Sequence, residues 1–178
     1  GIGFAMKDIL ENIYYGISLM AGRIKIGDYI ICDDIRGRVS SISYTSTMIE
    51  ALDGSVIAFQ NSQLFTKNYK NMTKNHGYEM DILEVGVAYG TNIKEVKTLL
   101  TDAITSLGVT YEAQPVFVRL KSFDDSCITL SIIVWLNVFT RGSDIGDIME
   151  CIYETLNNNG IEIPFPQREI TIKQQNNN

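Results

Sequence analysis

The chain has 178 residues, 45% of them apolar and 20% charged, with 14 glycines and 3 prolines, which is folded rather than disordered composition. Its formal net charge of -6 repels phosphate backbones, so nucleic acid is not an expected partner. Cys32, Cys127 and Cys151 are far apart and form no CxxC pair, which fits three reduced thiols.

Residues 1–21 have helical periodicity. Asp8, Glu11, Asn12, Tyr15 and Ser18 recur at three- and four-residue spacing, and Met6, Ile9, Leu10, Ile13, Ile17 and Met20 form the opposite stripe. Gly1, Gly3 and Ala5 are small enough for close helix packing. Such a helix lies along a membrane surface, packs into an oligomer axis, or covers its own domain's core. Crossing a bilayer takes about 20 predominantly apolar residues. Residues 1–22 carry Lys7, Asp8, Glu11 and Asn12 and cannot do so alone. The chain opens on Gly1 rather than Met, and a longer parent protein that carries the membrane part is expected.

From Gly27 to Thr73 the period becomes strand-like. Residues 28–32, 37–42, 47–52 and 55–59 are short apolar or alternating runs, with Asp53-Gly54 as a hairpin turn. Four or five strands joined by tight turns predict a small bent barrel. Residues 61–65 form one helical turn, with Asn61 or Ser62 as its cap. From Tyr78 the order is strand, helix, strand, strand, helix. A strand runs over 78–89, and Asn92 caps a helix closed by Gly108. A hairpin turns at Asp124-Asp125-Ser126, and a second helix, lined by Ile145 to Leu156, stops at Asn159-Gly160. This is a split βαβ, ferredoxin-like arrangement. After Pro164-Phe165-Pro166, an alternating strand at 169–173 needs a partner, either copies of itself or the edge of its own sheet.

The residues show no catalytic machinery. His76 is the only histidine and has no Cys or carboxylate at ligand spacing, so neither metal nor cofactor is expected. No Ser, Cys or Thr has a histidine base at motif spacing. Gly1-Ile2-Gly3 lacks the rest of a dinucleotide loop, and Asp124-Asp125 reads as a hydrated turn. Arg23, Lys25, Arg36 and Arg38 form the basic cluster of the β region, with Asp28, Asp33 and Asp34 interleaved. RNA binding of the Sm-like kind would need a basic, aromatic-lined face. Solvated edges, or a surface toward lipid headgroups, explain the cluster as well.

Several segments, taken together, resemble the MscS-like mechanosensitive channel family. They are Gly3-Phe4-Ala5-Met6-Lys7-Asp8 with Leu10, Asn12 and Gly16, then Ile26-Gly27-Asp28-Tyr29-Ile30, Gly37-Arg38-Val39, Thr45, Thr47, Asp53-Gly54 and Gln60-Asn61-Ser62. Val87-Ala88-Tyr89, Val134-Trp135 and residues 160–167 continue the match. Gln60 stands where the family usually has Pro, and Lys7 where many members have Gln.

The resemblance implies an α+β chain in four parts. Residues 1–22 would be the end of an amphipathic pore helix, 23–74 an Sm-like small β-barrel domain, 75–166 a ferredoxin-like α/β domain, and 167–178 a C-terminal strand and polar tail. It implies a homoheptamer whose strands Glu169, Ile170, Thr171, Ile172 and Lys173 close an intersubunit β-barrel. Gly3, Phe4, Lys7 and Asp8 would line or gate the pore, and Asn12 and Gly16 would pack the helix on the β domain or a neighbour. The implied function is a channel opened by membrane tension that releases ions and small osmolytes, not an enzyme. The full-length protein would sit in the cell (inner) membrane through upstream helices, with this portion on the cytoplasmic side. A soluble oligomeric Sm-like binding module, or an RNA-binding Sm-like protein, stands as the alternative.

Overall fold

The computed structural model describes residues 1–166 and 168; the strand expected over 169–173 lies outside the described residues. The chain divides into a unit of residues 1–79 and a unit of residues 80–178. Together they make a mixed α+β structure with antiparallel sheets.

In the first unit the amphipathic run forms helix α1, Ile2–Met20. It ends where Gly22 adopts a φ of 124°, a conformation that glycine enters without steric cost. Five strands follow: β1 (Tyr29–Cys32), β2 (Ile35–Ile42), β3 (Ser46–Ala51), β4 (Val56–Gln60) and β5 (Lys70–Asn71). They form one sheet in the order β4-β3-β2-β1-β5, antiparallel at every pairing. A register shift between Val39 and Ser41 marks a bulge, which bends the strand and increases its twist. A one-and-a-half-turn helix α2, Asn61–Thr66, follows β4 directly.

Two hairpin turns set the register of this sheet. At Asp53-Gly54, Gly54 has φ 84°, and the Asp53 carboxylate accepts the Ser55 N–H at 2.9 Å and the Ser55 hydroxyl at 2.5 Å. Between β1 and β2 the pairing of Cys32 with Ile35 leaves a two-residue turn, Asp33-Asp34, with φ 50° and 62°. The returning strand therefore starts at Ile35, two residues before the expected Gly37. Leu19, Ile24, Ile30, Val39, Ile49 and Leu64 fill the core. Full burial of such side chains stabilises by about 1.5–3 kcal/mol each.

The second unit follows from its apolar periods. Strand β6 (Tyr78–Val87), helix α3 (Ile93–Ser106), strands β7 (Phe117–Phe123) and β8 (Ile128–Asn137) and helix α4 (Arg141–Asn158) come in that order. The sheet order is β6-β8-β7. Val96, Leu100 and Ile104 of α3 and Ile148, Ile152 and Leu156 of α4 pack with Leu130, Ile132, Val134 and Leu136 of β8. The Asn92 side chain accepts the Glu95 N–H at 3.3 Å, an N-cap. Helix α4 starts four residues before Ile145. Its Arg141, a cation at the positive end of the helix dipole, is held by two-pronged bonds to Asp81 at 2.6–3.0 Å. Beyond α4 the chain returns beside β6, where the Ala88 N–H donates to the Glu162 carbonyl at 3.0 Å.

Candidate functional site

The chemistry that stands out in the first unit is the seat of α1 on the sheet. Gly16 and Leu19 of this helix are buried, and Asn12, Ile13, Tyr15 and Ser18 are half-buried. The spacing 12-15-16-19 is one face of a helix. It is the face that carries the polar residues. Of the apolar stripe, Met6, Ile9, Leu10, Ile17 and Met20 stay exposed, along with Phe4 at 78%. The reading of α1 as a surface helix whose apolar stripe covers its own core is therefore corrected. The helix docks by close approach and hydrogen bonding, which leaves its apolar stripe outside.

Gly16 sets the approach. A Cβ there would come 2.5 Å from Asn61 Nδ2 and 2.9 Å from the Tyr44 carbonyl oxygen, and the latter is main chain that cannot swing away. Around it lies a ladder of amides. The Asn12 side-chain oxygen accepts the Ser62 N–H at 2.9 Å, and Asn12 Nδ2 donates to the Asp8 carbonyl at 3.0 Å. Asn61, fully buried, accepts the Thr47 hydroxyl at 2.9 Å on its Oδ1. Its Nδ2 donates to the Ser43 carbonyl at 2.9 Å and to the Asn12 carbonyl at 3.4 Å. Every polar atom of the buried amide thus has a partner, the condition under which burying it is tolerable.

This arrangement corrects the expected cap of α2. Neither Asn61 nor Ser62 caps it through its own side chain; the acceptor for the free N–H of Ser62 comes from Asn12, on another helix. At the rim, the Tyr15 and Phe65 rings lie 4.7 Å apart, and the Arg23 guanidinium sits 4.2 Å from the Phe65 centroid. The structure therefore gathers Asn12 and Gly16 with Asn61, Ser62, Tyr44, Ser43 and Thr47. Period reading missed Ser43 and Tyr44. Thr47 was present as the start of a strand run and Asn61 as a candidate cap, both also as members of the ordered motif, and neither as a partner of the other.

The other singled-out residues lie elsewhere. Gly3, Phe4, Lys7 and Asp8 are exposed on the first two turns of α1, and Lys7 faces Glu11 at 3.9 Å. Glu169, Ile170, Thr171, Ile172 and Lys173 lie outside the described residues. His76 accepts the Tyr78 N–H on Nδ1 at 3.1 Å, and Asp124 sits in a hairpin turn, its N–H bonded to the Cys127 carbonyl at 2.9 Å. Among the described residues no group of three or more His, Cys, Asp or Glu side chains is placed to hold a metal. None of the described helices is long and apolar enough to cross a membrane.

With this geometry in hand, the comparisons are specific. Residues 8–74 match the family model described as mechanosensitive ion channel, beta-domain. The small-conductance mechanosensitive channel of Edwardsiella ictaluri is 28% identical over 174 residues, covering 97% of this chain and 60% of that protein. An uncharacterized MscS family protein of Archaeoglobus fulgidus is 26% identical over 170 residues, covering 95% of this chain and 60% of its own length. The chain thus spans about 60% of the curated relatives it matches. The crystal structure of Helicobacter pylori MscS in its closed state superposes with a TM-score of 0.82 at 28% identity, covering 98% of this chain and 69% of that one. Arabidopsis thaliana MSL1 A320V, with a TM-score of 0.72 over 93% of this chain and 64% of its own but 16% identity, shares the fold. The β-domain match contains the whole seat of α1 and the matches to relatives run through both units, so the chain is similar to MscS family proteins over 95–98% of its length.

Proposed function

We propose that this chain is the pore-helix end and cytoplasmic vestibule part of a channel that opens under membrane tension and releases ions and small osmolytes on hypoosmotic shock. The full-length protein sits in the cell membrane, and this portion faces the cytoplasm. The observation that carries the reading is the inverted docking of α1. Its polar face is held by the β unit, and among the described residues Phe4, Met6, Ile9, Leu10, Ile17 and Met20 of its apolar side remain exposed. A stripe of this length buries itself against neighbouring helices or lipid. Relatives bearing the name small-conductance mechanosensitive channel support the same reading.

In this proposal the 23–74 segment is Sm-like, the 75–166 segment is ferredoxin-like, and seven copies form a ring. Strands 169–173 of the copies close a parallel barrel, and no catalytic turnover accompanies the function. Gly3, Phe4, Lys7 and Asp8 line the axis. Phe4 forms an apolar neck that stops ions by dewetting, and Gly3 and Ala5 let the helices pack around it. Asn12 and Gly16 transmit the position of the helix to the β unit.

The test is the full-length channel with Phe4→Ser, recorded by patch clamp, with native mass spectrometry of the detergent-solubilised protein alongside. A wetted neck opens at lower tension or leaks at rest, and the parent runs as a heptamer. Wild-type threshold and resting conductance would remove Phe4 from the gate, and a stable monomer or dimer would remove the ring.

A further inference from the structure

One cluster is left unused by the channel reading. Where α1 turns into β1, a cleft of about 370 Å³ is lined by Gly22, Arg23, Lys25, Asp28, Thr73 and Lys74. On a chain of net charge -6 it gathers three cations against one carboxylate. Among the described residues none of Arg23, Lys25 and Lys74 makes an ion pair, and all three are exposed. The carboxylate is occupied: Asp28 Oδ2 accepts the Lys25 N–H at 2.9 Å and Asn71 Nδ2 at 2.8 Å. The carbonyls at the helix end are occupied as well, Ile17 by the Ala21 N–H at 3.0 Å and Leu19 by the Arg23 and Ile24 N–H groups at 3.1 Å. Lys74 Nζ caps the Gly22 carbonyl.

The walls are fixed before any ligand arrives. The Thr73 hydroxyl accepts the Tyr29 N–H at 3.1 Å and donates to Asn71 Oδ1 at 3.0 Å, which ties the Lys74 segment to β1. The Asp28 N–H donates back to the Lys25 carbonyl at 3.1 Å, closing the loop that carries Arg23 and Lys25. Arg23 is held over Phe65. Beside these cations in the chain are exposed apolar side chains, Met20 at 43% and Ile26 at 67%. Cations flanked by uncovered apolar groups match an amphiphile with an anionic head better than a free anion, which has no use for the apolar flank.

We propose that this cleft binds the phosphate head of an anionic phospholipid, with Met20 and Ile26 set against the acyl region. The inference rests on the channel reading only in placing the chain beside a bilayer. It adds an electrostatic anchor at the point where the helix meets the β unit.

The test is co-sedimentation of the 178-residue chain with phosphatidylcholine vesicles, with and without phosphatidylglycerol. Arg23→Gln/Lys25→Gln/Lys74→Gln is compared with Lys94→Gln/Arg119→Gln, which lowers net charge on the other unit. The parent should prefer phosphatidylglycerol vesicles and lose that preference at high ionic strength. The triple variant should lose about 100-fold in partitioning, and the control variant should keep it. Equal binding of the triple variant, equal binding to neutral vesicles, or displacement of the parent by inorganic phosphate at constant ionic strength would each overturn the proposal. Because the readout involves no conductance, its failure leaves the channel reading standing. A channel silent in patch clamp leaves the vesicle result standing.

Discussion

Replacing Gly16 by alanine loads the helix seat at its tightest point. The new methyl would stand 2.5 Å from Asn61 Nδ2 and 2.9 Å from the Tyr44 carbonyl oxygen. Either the helix lifts or the Asn61 amide rotates. Overpacking of this kind costs about 1–3 kcal/mol. Lifting also breaks the bond between Asn12 and the Ser62 N–H, for about 1 kcal/mol more. Alanine's better helix propensity returns about 1 kcal/mol. The net expectation is about 2 kcal/mol of destabilisation, which for a unit of this size lowers its Tm by about 10 °C. The loss falls on the first unit, so the assay must report it alone. Trp135 lies in the second unit and is unsuitable as the probe. Amide exchange at Ser62 reads the seat directly: the variant should exchange about 30-fold faster there. Unchanged protection at Ser62, or a Tm raised by the alanine, would refute the close-approach argument.

Other expectations follow from single features. Asn61→Ala removes the partner of the Thr47 hydroxyl and of the Ser43 carbonyl, and should destabilise the first unit by about 2–4 kcal/mol in urea titration. A loss below about 0.5 kcal/mol would mean that the amide network carries no stability. Asp34→Gly relieves a φ of 62° and should stabilise by about 0.5–1 kcal/mol, against no change if the Asp33-Asp34 turn is unstrained. Burial, and then the neighbouring Asp33 carboxylate, push the Cys32 thiol above its ordinary range, while Lys67 pulls the other way. A raised thiol pKa contributes stability that is complete below the unfolded value and is lost as pH rises through the folded one. Alkaline pH should therefore weaken the first unit, and Cys32→Ala should flatten that limb of the pH profile. In thiol titration of the parent, Cys127 and Cys151 should react before Cys32.

The sequence makes plain those elements whose signal is local. Asp53-Gly54 is legible because glycine supplies the positive φ. The α3 cap is legible because Asn92 stands directly before an apolar face. Asp33-Asp34 carries no glycine, so its turn is hidden and β2 starts earlier than periodicity suggests. The start of α4 is hidden for another reason. Arg141 is unfavourable in a first turn because its cation meets the positive end of the helix dipole, and its distant partner Asp81 offsets this. The seat of α1 shows the larger limit. Periodicity sorts residues by hydropathy and assigns the apolar stripe inward. Which face docks here is decided by Gly16 and by the hydrogen bonding of Asn12, and neither registers on a hydropathy scale.

The Asn61 amide joins three stretches that are remote along the backbone, Asn12, Ser43 to Thr47, and α2 itself. A junction of this kind assembles only after the sheet has brought the latter two together, because loop closure precedes the reward of a non-local contact. Of the first unit's elements, helix α1 is therefore expected to dock late and detach early, which faster amide exchange at Ser62 than in β2 and β3 would show. Its departure uncovers Leu19 and breaks a few hydrogen bonds, a cost of a few kcal/mol. Meanwhile Ile30, Val39, Ile49 and Leu64 stay packed in the sheet. The expected consequence is a sub-global opening in which a helix detaches from a body that remains folded.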